Sequence, residues 1–313
     1  MEGIRKSLNK TIDRIVSYYL DNYKKMVFIP IVFIAVFAGV IGYHYYTTGQ
    51  IINEDISLAG GISVSINTNQ SLPVSLINSN LSAAVGSSVS VTVLHAQFSN
   101  VVSGYTITAG KNVNATQLTK AISALFSMKL TSTNSNVNYV SSQIAQGALY
   151  DSLILLGVAF LLVAAVSLFY FRNISQAFSN VISIISDVIN VIGVMNLLGI
   201  SFSTASIAGI LMIMGYSADR NIILATNILK RSEASMKYRL IHTIKTSLTM
   251  DAAAFVTFIV LFFGTTNAII QNIAIILIFG VLFDDFTVWI LNGSIQLTGL
   301  KYKNEETTQK TNL

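Results

Sequence analysis

The chain has no cysteine and only two prolines in 313 residues. No disulfide framework, thiolate metal site or thiol nucleophile can be built from it. Charge is scarce as well: Asp, Glu, Lys and Arg together make 11% of the residues, against about a quarter in soluble domains. His44, His95 and His242 are scattered and offer no metal-ligand spacing. No Gly-x-Ser-x-Gly elbow or Ser-x-x-Lys dyad stands in a useful context. Gly104 to Asn112 resembles a phosphate loop only faintly, with the spacing to Gly110-Lys111 one residue too long and Asn112 in place of Ser or Thr. Catalysis, a metal and a cofactor are therefore not expected. The net charge of +5 is not a nucleic-acid signal, because the basic residues cluster beside apolar runs.

What is present in quantity is apolar sequence. Hydrophobic residues make 52% of the chain and the mean hydropathy is +0.63, values of a polytopic α-helical membrane protein. Runs of about 20 apolar residues read as transmembrane helices. They fall at Met26–Thr47, Ser152–Phe171, Ala177–Leu198, Phe202–Leu229, Thr246–Thr265 and Ala268–Leu297. Lys and Arg sit before the first run (Arg5, Lys6, Lys10, Arg14, Lys24, Lys25), after the second (Arg172), after the fourth (Lys230, Arg231, Lys237, Arg239, Lys245) and after the sixth (Lys301, Lys303, Lys310). Six crossings put all of these on one side, which the positive-inside rule makes cytoplasmic. The expected organisation is a cytoplasmic N-terminal segment (1–25), a first transmembrane helix (26–47), an extracytoplasmic domain (48–147), a bundle of five helices (148–298) and a cytoplasmic tail (299–313). The first run is too long for a signal peptide and lacks an A-x-A site, so it reads as an uncleaved anchor in the cell membrane.

Before it, Ile4, Leu8, Ile12, Ile15, Tyr19, Leu20 and Tyr23 share a helical face between basic residues. This is the pattern of an interfacial helix on membrane lipids, or of a solvated helix that orients the first span. In the external region, Ile62 to Ile66 alternates with period two after Gly60-Gly61, and strands follow at Val89–Ala96, Gly104–Ala109 and Val137–Ile144. Helices are expected over Ser75–Val85 and from Asn114 to Met128. The order is β-α-β-β-α-β, a small α+β arrangement of ferredoxin-like type. Asn69, Asn80 and Asn114 head glycosylation sequons in this region.

The chemistry concentrates in Gly215-Tyr216-Ser217-Ala218-Asp219-Arg220-Asn221, which sets two opposite charges inside the fourth apolar run. A charge at that depth costs about 2.5–3.5 kcal/mol on insertion scales and faces a bundle interior as a rule. Asp187 lies midway along the third run and Asp284-Asp285 near the middle of the sixth, at similar depth. Asp219 is the expected coupling carboxylate, with Asp187 and Asp284 as partners and Arg220 as counter-charge: a carboxylate in low dielectric carries a proton reversibly, and moving a cation beside it changes its affinity. The alternative is a buried ion pair of Arg220 with Asp187, Asp219 or Asp284 that only fixes register. Asp251, nearer the end of the fifth run, reads as an interface residue paired with Lys245. Gly193, Gly199, Gly209, Gly215 and Ala252–Ala254 read as packing positions, with Gly215 beside Tyr216 also a plausible hinge.

The stretch Gly-Tyr-Ser-x-Asp followed by apolar residues to Lys230 resembles the SecD/SecF family of export proteins. Asp187 in mid-span, the segment Lys245 to Met250, and Asp284/Asp285 with Trp289 and Asn292 are similar to the same family in its archaeal form. An external region of about 100 residues matches the SecF type. The resemblance implies an accessory subunit of the Sec translocon that assists polypeptide export, draws on the proton gradient through intramembrane carboxylates, and works with a SecD-like subunit, a SecY-type channel and the translocating polypeptide. The chain departs from the pattern at Arg220, where a small or acidic residue is usual, at Asn221, at His242, and in lacking a proline between Val140 and Gly147. Two rival readings stay open: a homodimeric half-transporter that exports a small amphiphile, and a membrane scaffold without transport of its own.

Overall fold

The computed structural model describes residues 2–299 apart from 97, 98, 100, 173, 231–234 and 266. Most of the expected tail and part of the basic loop after the fourth span thus lie outside the described residues. The chain forms two bodies, with the sheet body inserted between the first and second helices of the bundle. The first is a four-stranded sheet of β1 (Gly61–Asn67), β2 (Val89–His95), β3 (Val102–Gly110) and β4 (Ser135–Val140), in the order β2-β3-β1-β4 with every neighbouring pair antiparallel. Helices α4 (Val74–Val85) and α5 (Ala115–Leu125) cover one face. Ile62, Val64 and Ile66 alternate toward them and close a core with Ile77, Leu81, Leu118, Ile122, Tyr105 and Phe126. Asn114 caps α5 by accepting from the Thr116 amide at 2.8 Å. Gly104 makes the crossing of β3 on β1 possible, since a Cβ there would meet the Ile66 carbonyl oxygen at 2.1 Å.

The second body is a bundle of six helices, each long and apolar enough to span a membrane, which makes the chain a multi-pass membrane protein. These are α2 (Phe28–Thr48), α6 (Ser142–Phe171), α7 (Ile174–Leu198), α8 (Thr204–Ala225), α9 (Met236–Gly264) and α10 (Ala268–Phe286). The short helix α3 (Ile56–Ala59) links α2 to the sheet. The sheet body is tied to one end of the bundle by backbone hydrogen bonds between Asn53, Asp55 and Phe202 and by Asn196, whose amide donates to the Ile51 carbonyl at 2.9 Å. Glycines set two close helix approaches: a Cβ at Gly193 of α7 would meet Phe37 of α2 at 2.5 Å, and one at Gly280 of α10 would meet Ile213 of α8 at 2.3 Å.

Five boundaries differ from those expected. The fourth strand ends at Val140, because Ser141 caps the next helix by accepting from the Ile144 amide, and α6 starts there rather than at Ser152. Helix α9 starts at Met236 rather than Thr246: Leu240 is buried with Leu224 and Ile228, and Ile241 and Ile244 pack against them, so the turns before the apolar run have their own partners. Helix α8 gives way to a π-helical stretch at Thr226–Lys230, and α10 to another at Thr287–Asn292. Periodicity at 3.6 residues gives no warning of such widening, which is frequent at functional sites.

The N-terminal helix α1 (Glu2–Met26) does not lay its whole apolar face outward. Val16 and Tyr19 are buried, and Ile12 and Leu20 pack beside Leu224, Ile228, Leu240 and Val288 at the bundle end away from the sheet. The Tyr19 hydroxyl lies 3.3 Å from Ser294 Oγ, which donates to the Tyr23 carbonyl at 3.0 Å, and Lys237 pairs with Asp13 at 3.0 Å. Ile15 and Tyr18 stay exposed. The helix is a latch on its own bundle as much as an amphipathic surface.

Candidate functional site

Four helices deliver charged side chains to the bundle interior. Helix α8 supplies Arg220, α7 Asp187, α9 Asp251 and α10 Asp284 and Asp285. The Arg220 guanidinium donates to Asp251 Oδ1 at 2.5 Å and to Asp285 Oδ1 at 3.0 Å, and lies 2.8 Å from Asp284 Oδ2. Arg220 is 3% exposed, Asp251 4%, Asp284 1% and Asp187 0%. Among the described residues the cluster sets four carboxylates against one guanidinium, with Asp187, Asp251 and Asp284 buried and Asp285 partly exposed; an uncompensated charge in the buried part is expensive.

Asp187 sits on the other side of this cluster and is held by hydroxyls. Ser217 Oγ donates to its Oδ2 at 2.7 Å and Thr287 Oγ1 to its Oδ1 at 2.5 Å. Thr287 Oγ1 also lies 3.2 Å from the Asp284 carbonyl oxygen, so one side chain touches both parts of the cluster.

From Ser217 a string of uncharged polar groups runs away from the sheet body. Asn221 donates to Ser217 Oγ at 3.3 Å, and Asn292 donates to Asn221 and, at 3.1 Å, to Asn180. Ser179 donates to Asn292, Gln296 donates to the same oxygen at 3.0 Å, and Gln176 donates to Asn180 at 3.1 Å. Asn180, Asn221 and Asn292 are all fully buried. From Asp187 to Gln176 is eleven positions along α7, about 16 Å at 1.5 Å per residue. The spacing follows helix geometry: Gln176 and Asn180, Ser217 and Asn221, Asn292 and Gln296 are each four apart and stack on one face. The π-helical stretch carries Thr287 at its start and Asn292 at its end, both facing inward.

The structure brings Asp187, Asp284 and Arg220 into one cluster, adds the motif residue Ser217 through its bond to Asp187 and Asn221 through its bond to Ser217, and corrects two expectations. Asp219 is not in the cluster and does not pair with Arg220: it is exposed on α8 and has no partner among the described residues. Successive helix residues point about 100° apart, so the turn that carries Arg220 inward carries Asp219 away from the interior. Asp251 is not an interface residue paired with Lys245. Six positions place those two on different faces, and Asp251 faces inward to Arg220 with Ser247 Oγ donating to it at 3.2 Å. Tyr216 is partly buried and lies with Phe258, Gly280 and Asp284 around a tight, mostly apolar recess, while Gly215 has open space before it. Sequence reasoning did not single out Gln176, Ser179, Asn180, Thr287 or Gln296 as site residues. Their signal was an amide or hydroxyl recurring at four-residue spacing inside apolar runs.

The family model for the protein-export membrane protein SecD/SecF C-terminal region matches residues 120–301. Protein-export membrane protein SecF of Pyrococcus furiosus is 30% identical over 87% of this chain and 89% of its own length. SecF of Methanocaldococcus jannaschii is 28% identical over 90% of this chain and 96% of its own. Among solved structures, SecDF of Thermus thermophilus, described as a translocon-associated membrane protein, superposes with a TM-score of 0.68 at 18% identity. That match covers 91% of this chain and 38% of the SecDF chain, so the present chain spans about two-fifths of that relative. With a match over more than half its length and full-length relatives that carry the SecF name, the chain belongs to the SecD/SecF family of protein-export membrane proteins.

Proposed function

We propose that this chain is the SecF-type subunit of a Sec export assembly and that its buried cluster couples polypeptide export to proton movement. The observation that carries the coupling is the imbalance of Asp187, Asp251, Asp284 and Asp285 against Arg220 alone. Carboxylates buried without enough counter-charge take up protons instead. Which carboxylate holds a proton then depends on where the guanidinium sits. A shift of Arg220 toward one of Asp251 and Asp284 would favour the charged form of that carboxylate and leave the other to take up a proton, with Asp187 held between Ser217 and Thr287 beside them. Asp219, expected as the coupling residue, has no part in this scheme.

In the same reading the termini lie in the cytoplasm, as the basic residues around the spans argue, and the sheet body lies outside. That body has the strand order and connections of a ferredoxin-like domain and meets the emerging chain through apolar surface and backbone. A SecD-like subunit completes the membrane part and a SecY-type channel supplies the polypeptide.

Three contacts to Arg220 also favour a static lock that holds the helices in register. Export of a secreted reporter in cells that depend on this chain separates the two. Asp187→Asn keeps a side chain that fits between Ser217 and Thr287 but cannot release a proton. Coupling predicts that export falls at least about tenfold while the chain accumulates normally; a lock predicts export close to wild type.

A further inference from the structure

The sheet body carries the three sequons headed by Asn69, Asn80 and Asn114, and all three asparagines are exposed. Their surroundings differ. In Asn80-Leu81-Ser82 the asparagine stands inside α4 and donates to the Leu76 carbonyl at 2.8 Å, Leu81 is buried, and Ser82 Oγ accepts from the Val89 amide at 3.1 Å. The fold engages all three residues. In Asn114-Ala115-Thr116 the asparagine oxygen is taken by the cap of α5, and the sequon forms the first turn of that helix. Asn69-Gln70-Ser71 lies in the loop between β1 and α4, and neither the Asn69 nor the Ser71 side chain makes a hydrogen bond among the described residues. That loop is nonetheless held in place. The Thr68 amide donates to the Ser103 carbonyl at 3.1 Å, the Leu72 amide to the Tyr105 hydroxyl at 2.8 Å, and the Gln70 side chain to the Phe126 carbonyl at 3.2 Å. Strand β1 begins beside Ser142 of α6, against which Gly60 is packed, and its seven residues carry the chain about 20 Å away at 3.4 Å per residue. Asn69 therefore stands at the tip of the sheet body away from the bundle. Asn114 follows the Gly110 end of β3, which pairs with Gly61 at the near end.

We propose that Asn69 is a site of N-linked glycosylation, selected over Asn80 and Asn114 by the fold. The proposal rests on the reading that places the sheet body outside the membrane. The donor is an oligosaccharide joined through its anomeric carbon to a polyprenyl phosphate and presented by a membrane-bound transferase. Asn69 Nδ2 bonds to the anomeric carbon while the bond from that carbon to the phosphate oxygen breaks. The lipid phosphate leaves with the electron pair, and a base of the transferase takes one amide proton. Such a transferase must hold the carboxamide and the hydroxyl two residues on in one extended segment. Asn69 and Ser71 offer both groups unengaged on a surface loop, where a bulky sugar meets open solvent. At Asn80 the same step would first pull Leu81 out of the core and Ser82 off β2. At Asn114 it would act on the residue that caps α5.

The test uses the full chain purified from the cells that make it, cut with chymotrypsin, with the peptides that hold each sequon read by mass spectrometry. The expected result is a sugar addition on most copies of the Asn69 peptide, with the Asn80 and Asn114 peptides largely bare. Ser71→Ala, which leaves Asn69 in place, should abolish the addition, and Ser71→Thr should keep it. A bare Asn69 would overturn the proposal. So would equal occupancy of Asn69 and either other sequon, or an addition that survives Ser71→Ala. The placement of the sheet body is tested separately, and the absence of cysteine makes that test clean. Lys111→Cys in the sheet body and Lys24→Cys at the end of α1 both stand at exposed positions. Intact cells carrying each variant are treated with a membrane-impermeant maleimide. Label on the Lys111→Cys variant only, together with a bare Asn69, removes the glycan and leaves the orientation standing. Label on the Lys24→Cys variant only removes the orientation and the glycan with it.

Discussion

Asp219 and Arg220 are neighbours in sequence and face different surroundings. The guanidinium of Arg220 reaches across to Asp251 at 2.5 Å, while the carboxylate of Asp219 stands exposed on the far side of the same helix turn. One residue answers charges inside the bundle and the other does not. The predictions below follow from this division.

Removing Arg220 leaves Asp251, Asp284 and Asp285 with no cation among the described residues. Arg220→Gln should lower stability by about 3 kcal/mol, the usual effect of stranding buried charge. Adding Asp251→Asn should recover part of that loss. Thermal unfolding of the purified variants in one detergent measures both, and a double variant no more stable than the single would argue against a shared charge balance.

Asn292 joins four side chains at once and is fully buried. Asn292→Leu takes one partner each from Asn180, Asn221, Ser179 and Gln296, leaving Asn180 its bonds to Gln176 and Ser167 and Asn221 its bond to Ser217. It should destabilise the bundle by about 1–3 kcal/mol. Export should fall further than that loss of stability explains, because Asn292 holds Asn221 against Ser217, which bonds Asp187. Reporter export normalised to the amount of folded chain is the readout; a fall that tracks stability alone would reduce the string to packing.

Gly193 is fixed by the approach of Phe37. Gly193→Val should push α2 from α7 and lower the unfolding temperature, and Phe37→Ala should relieve part of the damage. Equal unfolding temperatures for Gly193→Val and wild type would show that the two helices do not meet there.

Burial, first, and the neighbouring Tyr23 push the Tyr19 hydroxyl up to about 12 from the usual 10, against the opposing pull of its bond to Ser294. The neutral phenol is thus the form that α1 docks with. Its contribution is complete below pH 10 and is lost as the pH rises toward 12, where the docked form also ionises. The difference in tyrosinate absorbance between wild type and Tyr19→Phe should titrate near pH 12; a midpoint near 10 would mean that Tyr19 is not buried against Ser294.

Much of this architecture was legible in the sequence because membranes impose a simple grammar. Length and hydropathy mark the six spans, and alternation at Ile62–Ile66 with the Asn114 cap marks the sheet and α5. The depth of Asp187, Arg220 and Asp284 could be counted along the helices. The facing of Asp219 and Asp251 could not, since polar residues lie on several sides of each (Ser217, Arg220 and Asn221; Thr246, Ser247 and Thr249) and mark no single inward face. The latch formed by α1 was hidden for a related reason. An apolar stripe beside a membrane reads the same whether lipid or Leu240 covers it. The π-helical stretch Thr287–Asn292 carries Asn292 into the string, and no periodicity announces it.

The most direct test of the coupling is proton movement in vesicles that hold the purified assembly formed by this chain. With a pH-sensitive dye inside and a proton gradient imposed, a translocating polypeptide should draw protons across the wild-type assembly, and the Asp187→Asn assembly should show none of that flux. Polypeptide-dependent flux of equal size in the two would contradict the account.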